Sequence, residues 1–285
     1  MLDVQYRMHP NISRFPSFEF YNVAVRDGTV DSSGNVSPLL SPPASSHLKM
    51  DSITGNRPSV VFLDHEGSEL LRDRSRVNRT EASIVCSIVE DLLLQNQVHF
   101  SRCAPLFRLL TLTQHLCGKD IGVISPYAAQ ISLLNRLFTS DRHHRARFTA
   151  VLGDHRVMQL ADIEVKTVDG FEGREKEVII FSTVRNNPGG YIGFLADRRR
   201  LNVGLTRAKR GLFVVGSIST LRAGKTSGGS AMDGGLSVVR VGKGAEAWRR
   251  FVQFVSDEGL VVQLRGEKLG NLLFANIPTV TRRPV

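Results

Sequence analysis

The sequence predicts an α/β fold with a mostly parallel sheet flanked by helices. Two apolar runs, Val178-Ile179-Ile180-Phe181 and Leu212-Phe213-Val214-Val215, are rich in β-branched and aromatic residues and bounded by turn residues, as buried strands are. Between them, Asp197 to Lys209 has helical spacing, with Leu201, Gly204, Leu205 and Ala208 on one face. A third run, Ile121 to Ser125, leads through Pro126-Tyr127 into a helical pattern carrying Tyr127, Ile131, Leu134 and Phe138. Such alternation builds a parallel sheet with crossover helices. Ligands of these sheets sit in loops beyond strand ends, which directs attention to residues 169–175 and 200–207.

The remaining elements follow in order. Phe15 to Tyr21 reads as packing residues after a polar, aromatic opening. Residues 29–58, with Pro38, Pro42 and Pro43, read as an irregular, partly disordered loop. Ser59 to Asp64 is a strand, and Glu66 to Arg76 a charged loop. Residues 79–97 form the clearest helix, with Val85, Ile88, Val89 and Leu92 at i, i+3, i+4, i+7 and Thr80 as N-cap. Residues 98–120 are an insertion. Cys103, His115 and Cys117 lack a fourth ligand at zinc-knuckle spacing, so no metal site is expected. Residues 140–160 are basic and irregular, and either bind phosphates or form a solvated insertion. Residues 217–243 form a flexible insertion whose Gly224-Lys225-Thr226 imitates a phosphate loop, but position 219 is Ser and no helix pattern follows. A helix with Trp248, Phe251, Val252 and Val255 at core spacing and a strand at 260–264 close the domain. Residues 265–285 read as a tail.

The 285 residues carry a net charge of +10, with 41% hydrophobic residues. That length buries a full core as one large domain or two small ones. The basic surplus favours an acidic partner, nucleic acid first and anionic membrane second, over a charge carried only for solubility. Three cysteines without a C-x-x-C pair argue for reduced thiols, and no run of ~18 apolar residues or signal-peptide core is present. A nuclear or cytoplasmic protein that spans no membrane is expected.

Four motifs stand in a fixed order: Gln5-Tyr6-Arg7-Met8-His9-Pro10, Ile124-Ser125-Pro126-Tyr127-Ala128-Ala129-Gln130, Thr167-Val168-Asp169-Gly170-Phe171-Glu172-Gly173-Arg174-Glu175-Lys176, and Arg200-Leu201-Asn202-Val203-Gly204-Leu205-Thr206-Arg207-Ala208. Together they resemble the C-terminal motor motifs of superfamily 1 helicases, in the branch with the RNA-surveillance and senataxin-like enzymes. The resemblance covers most of residues 1–217. It implies a second RecA-like motor domain over 1–264, with insertions at 29–58, 98–120, 140–160 and 217–243 and a tail at 265–285.

The resemblance also implies roles. Arg207 matches the arginine finger, and Arg7 an arginine that reaches the γ-phosphate of ATP. Tyr6 matches a ring near the base, and Glu175 a carboxylate at the ribose. Ser125, Pro126 and Tyr127, with Thr167, Val168 and Asp169, match contacts to the backbone of single-stranded RNA or DNA. The chemistry suits the residue types: a guanidinium pairs with phosphate oxygens in a fork, and a flat ring stacks a base. Glu172 departs from the family's usual Gln; an ionised carboxylate only accepts hydrogen bonds, so it is expected to face a neighbour such as Arg174.

The expected cofactor is ATP with Mg2+, shared with a first RecA-like domain in cis or in trans. The expected function is the C-terminal half of an ATP-dependent helicase, inactive without that first domain. A start two residues ahead of the matched segment suggests a fragment or an incomplete gene model. Two other readings stand: a non-catalytic nucleic-acid-binding module derived from a helicase, and a structural partner completing a site on another chain.

Overall fold

The structure, a computed structural model, describes residues 3–48, 50, 55–96, 115–226 and 242–274. Most of the insertion proposed at 98–120, with Cys103, the central part of that at 217–243, and the tail beyond 274 lie outside these residues.

Six strands form the central sheet: β3 (Val60–His65), β6 (Ile121–Ile124), β7 (Glu164–Lys166), β8 (Lys176–Ser182), β9 (Ala208–Gly216) and β10 (Val261–Leu264). Their order is β10-β3-β9-β8-β6-β7, and every neighbouring pair is parallel. Alternation along the strands divides the core into two layers. Val61, Leu63, Val178, Ile180, Phe213 and Val215 face one layer, closed by helices Arg79–Gln95, Ala128–Thr139 and Arg142–Leu152. Val60, Phe62, Ile179, Phe181, Leu212 and Val214 face the other, closed by helices Pro10–Tyr21, Arg198–Leu205 and Lys243–Asp257. A parallel sheet covered on both faces needs strands that are apolar throughout, which is why these runs were readable. The parallel sheet between helices is a RecA-like α/β fold.

Several expectations are corrected. Residues 66–76 are not a plain loop: β4 (Leu70–Arg72) and β5 (Ser75–Val77) form a hairpin. Its two-residue turn, Asp73-Arg74, has φ of 47° and 60°, so both residues are left-handed without glycine. The cap of the 79–95 helix is Asn78, which accepts from Glu81 N, not Thr80. Residues 142–152 are helical rather than irregular, because Phe148 and Leu152, one turn apart, enter the core. The basic helix ends at Leu205, and β9 begins at Ala208, four residues earlier than the apolar run suggests. Gly266–Phe274, assigned to the tail, is a helix with Leu269 against the core.

The amino-terminal arm is tied to the sheet. β1 (Val4–Gln5) pairs with β2 (Arg26–Asp27), and Gln5 Oε1 accepts from Arg7 N and Met8 N. His9 N donates to Lys209 O at 2.8 Å, holding the arm at the amino end of β9. Gly204 lies in the last turn of the helix Arg198–Leu205. A Cβ there would stand 2.2 Å from the Phe181 ring, so the close helix–strand approach requires it.

Candidate functional site

At the amino ends of β8 and β9, three remote segments meet. The arm brings Arg7, the turn before β8 brings Glu175, and the turn before β9 brings Arg207. Arg7 Nε lies 2.9 Å from Glu175 Oε2, and Arg7 Nη1 donates to Thr206 O at 3.2 Å. Arg207 folds over its own helix end: Nε donates to Val203 O at 3.1 Å and Nη2 to Thr206 Oγ1 at 3.3 Å. Lys176 N donates to Arg207 O, fixing the two turns to each other. Lys209, which sequence reasoning did not single out, places Nζ 3.8 Å from Glu175 and 3.6 Å from Glu177. Its signal was hidden because it read as the end of a basic helix, whereas it is a strand residue.

Arg7, Arg207 and Lys209 thus gather near one carboxylate, Glu175. Burial holds the Arg207 guanidinium below its ordinary pKa, and the nearby Arg7 charge adds to this. An arginine so placed stays charged. Glu172 acts on it from the acidic turn. The expected Glu172–Arg174 facing is not the pairing seen: Arg174 Nη1 lies 3.3 Å from Glu164. Tyr6 is 75% exposed. Its ring rests against Gly28, where a Cβ would come within 2.2 Å of it. The arrangement therefore presents an open ring, two guanidiniums and an ammonium around a carboxylate, donors suited to a nucleotide with its phosphates.

The second group lies beyond the carboxyl ends of β6 and β7. Ser125 is fully buried, and its hydroxyl has no partner among the described residues. Tyr127 is buried as well; its hydroxyl accepts from Arg185 Nη1 at 3.2 Å and donates to Ile192 O at 3.4 Å. Burial, opposed by the Arg185 charge, raises the phenol's pKa. Val168 is buried, Pro126 half-buried, and Thr167 and Asp169 exposed. Thr167 Oγ1 accepts from Gly170 N, which leaves its proton to donate outward. The Asp169 carboxylate is gripped by Arg200 at 3.0 and 2.9 Å in a fork-to-fork pair. The surface open to a ligand is therefore Pro126, Thr167, Asp169 and backbone, with the Tyr127 ring a support beneath.

Among the described residues, Gly224-Lys225-Thr226 follows the end of a helix. Gly224, at φ +52°, ends the helix Ile218–Ala223 in a left-handed cap, and Lys225 N bonds back to Gly190 O. A phosphate loop needs the reverse order. Of the cysteine and histidine group, His115 and Cys117 come together with Asp120, their donor atoms within 4.8 Å. Asp120 is already engaged, accepting from the Cys117 backbone and thiol in a capping interaction. Burial and that carboxylate push the thiol up to about 11, so it stays protonated at neutral pH. Among the described residues no helix is long and apolar enough to cross a membrane.

Comparison with known proteins bears on the family of the chain. A family model described as AAA domain (AAA_12) matches residues 1–219. DNA polymerase alpha-associated DNA helicase A of Saccharomyces cerevisiae is 34% identical over 229 residues, 78% of this chain and 28% of that protein. Helicase sen1 of Schizosaccharomyces pombe is 32% identical over 239 residues, covering 83% and 12%. The regulator of nonsense transcripts 1 homolog of Drosophila melanogaster is 34% identical over 224 residues, covering 77% and 15%. The chain spans less than a third of the length of these relatives. With a RecA-like sheet and a family match over 1–219, the chain belongs to the superfamily 1 helicases, in the senataxin-like branch of the AAA domain family.

Proposed function

We propose that this chain is the second motor domain of an ATP-dependent helicase, acting on single-stranded RNA or DNA together with a first RecA-like domain. The observation that carries this reading is the meeting of Arg7, Glu175 and Arg207 at the amino ends of β8 and β9. The strand-binding candidates lie at the carboxyl ends of β6 and β7. One domain thus offers a nucleotide-facing edge and a strand-facing edge.

The nucleotide-facing residues fit half of a shared ATP site. Arg7 and Arg207 would hold the terminal phosphates, Glu175 would accept from ribose hydroxyls, and Tyr6 would lie near the base. ATP supplies the phosphoryl group whose transfer releases energy, and an arginine at the γ-phosphate stabilises charge as that transfer proceeds. To reach a ligand, Arg207 gives up hydrogen bonds only to its own helix end, so its reorientation costs little structure. Among the described residues Glu175 is the carboxylate that pairs with Arg7, and the ligands for Mg2+ are assigned to the first motor domain. On the other edge, Thr167, the turn at 169–171 and the backbone at 125–127 would hold phosphates of the strand. Closing and opening of the two domains with each ATP then moves the strand. A nuclear or cytoplasmic site of action goes with this reading.

The test compares ATP hydrolysis by the chain alone with hydrolysis by a protein joining it to a first motor domain. We expect little turnover alone, strand-stimulated turnover when joined, and loss of it in the joined Arg207→Ala protein. Turnover by the homogeneous isolated chain, or an active joined Arg207→Ala variant, would overturn the assignment.

A further inference from the structure

We propose that the recess beside Phe194 seats one base of the single strand and the phosphate next to it. This rests on the strand-binding reading and adds residues outside the four motifs. Phe194 is 62% exposed, yet it is held firmly. Beneath it lies the edge of the buried Tyr127 ring, with centroids 5.6 Å apart at 61°. Gly193 precedes it at φ +53°, where a Cβ would stand 2.3 Å from Arg185 Nη1, so the chain enters by a path that favours glycine. The buried Leu195 follows, its carbonyl accepting from Trp248 Nε1 at 2.8 Å. An aromatic side chain fixed on both sides and left in water is a ready platform for a base, which any of the four can use.

The adjoining recess is open and about 600 Å³, room for a nucleotide; Arg198, Arg199, Arg200 and Lys243 line it. Arg198 is committed to Glu19 and to the face of Phe20, and Arg200 to Asp169. Asp197 also lines the recess, but its carboxylate caps the helix by accepting from Arg199 N and Arg200 N. Arg199 and Lys243 are exposed and make no ion pair among the described residues. An exposed ring beside two spare cations matches a base joined to a phosphate. The surface is also continuous with the strand candidates, because Phe194 and Arg200 border the narrow cleft that contains Pro126 and Val168.

The test uses the full chain and a fluorescein-labelled oligouridylate, read by anisotropy across a salt series, with ultraviolet cross-linking mapped by mass spectrometry. Phe194→Ala should weaken binding about 5- to 150-fold with an unchanged salt slope, the signature of lost stacking. Phe194→Trp should retain binding. Arg199→Ala and Lys243→Ala should each flatten the salt slope by about 0.7, one phosphate contact apiece. The wild-type cross-link should fall on Phe194. Salt-dependent binding by the wild type with an unaffected Phe194→Ala variant and no cross-link at 193–200 would overturn the base seat and leave the strand reading intact. A wild type that binds no oligouridylate at low salt would defeat both. Phe194-dependent binding of polyglutamate in its place would mark a protein-docking surface, and also overturns the proposal.

Discussion

Arg7 and Glu175, 168 residues apart in the sequence, form an ion pair with Nε 2.9 Å from Oε2. The same guanidinium reaches the carbonyl of Thr206, the residue before Arg207. The amino-terminal arm is thereby locked to the two turns that precede β8 and β9. Both partners remain more than a third exposed, so the pair serves geometry more than stability. Exposed pairs contribute ~0–1 kcal/mol. Glu175→Gln should accordingly shift the urea midpoint by less than the equivalent of about 1 kcal/mol, while weakening ATP binding in the joined two-domain protein. Equilibrium denaturation and nucleotide titration separate the two effects.

Among the described residues, the Arg207 side chain makes only local hydrogen bonds, to Val203 and Thr206. Its removal should leave the thermal midpoint nearly unchanged. In the joined protein, Arg207→Ala should lower the ATPase kcat by about 10³–10⁵-fold, the range for arginine fingers. Arg207→Lys should not restore it, because an ammonium lacks the planar fork.

Glu81 is fully buried and accepts from Val184 N with both oxygens at 2.9 Å, 3.4 Å from His65 Nε2. Val184 is β-branched and sits at φ +69°, a strained conformation that persists only when its surroundings fix it. Glu81→Ala leaves that N–H unpaired in the core and should cost about 3 kcal/mol. Urea denaturation should show the loss, and hydrogen exchange should show faster opening at 184–187.

Burial lowers the His9 pKa to about 4 from 6.5. The neutral ring is useful, since Nδ1 accepts from Asn11 N and caps the first helix. The sign follows from proton binding: between pH 6.5 and 4 the unfolded chain holds the proton and the folded chain does not. Stability should therefore fall as pH drops through that window and level off below it. His9→Asn keeps a cap oxygen and carries no titrating group, so its stability should depend less on pH over the same window. Thermal melts of both proteins between pH 7 and 4 give the comparison.

Trp248 is fully buried, edge-on to Phe181 and Phe251, and donates to Leu195 O. Trp248→Phe keeps most of the packing but strands that carbonyl. It should cost about 1–3 kcal/mol and loosen the segment that carries Phe194. Chemical denaturation measures the first, and proteolysis at 189–196 the second.

The strands β8 and β9 were legible because their apolar runs face both layers of the core, and a buried parallel sheet leaves no other arrangement for Val178–Phe181 or Leu212–Val215. Trp248 likewise announced itself by its spacing with Phe251, Val252 and Val255. The 142–152 helix was readable in principle from Phe148 and Leu152, but the surrounding arginines and histidines dominated its composition. The Leu70–Val77 hairpin was not, since its turn uses Asp73 and Arg74 where turn rules look for Asn-Gly. The end of the 198–205 helix was also closed to local reading. Leu205 and Ala208 share a helical spacing, and only the pairing of Ala208 with Lys176 makes the latter a strand residue.

The sequence by itself determined the fold class, the family, and the identities of the residues in the four motifs, because these reside in local pattern and order. Tertiary structure decided which of them meet. It brought Arg7 to Glu175 across the chain, added Lys209, turned the Tyr127 ring inward, spent Asp169 on Arg200, and left Phe194 in water. Each outcome depends on long-range sheet register and on burial, and neither quantity is carried by any short stretch of residues.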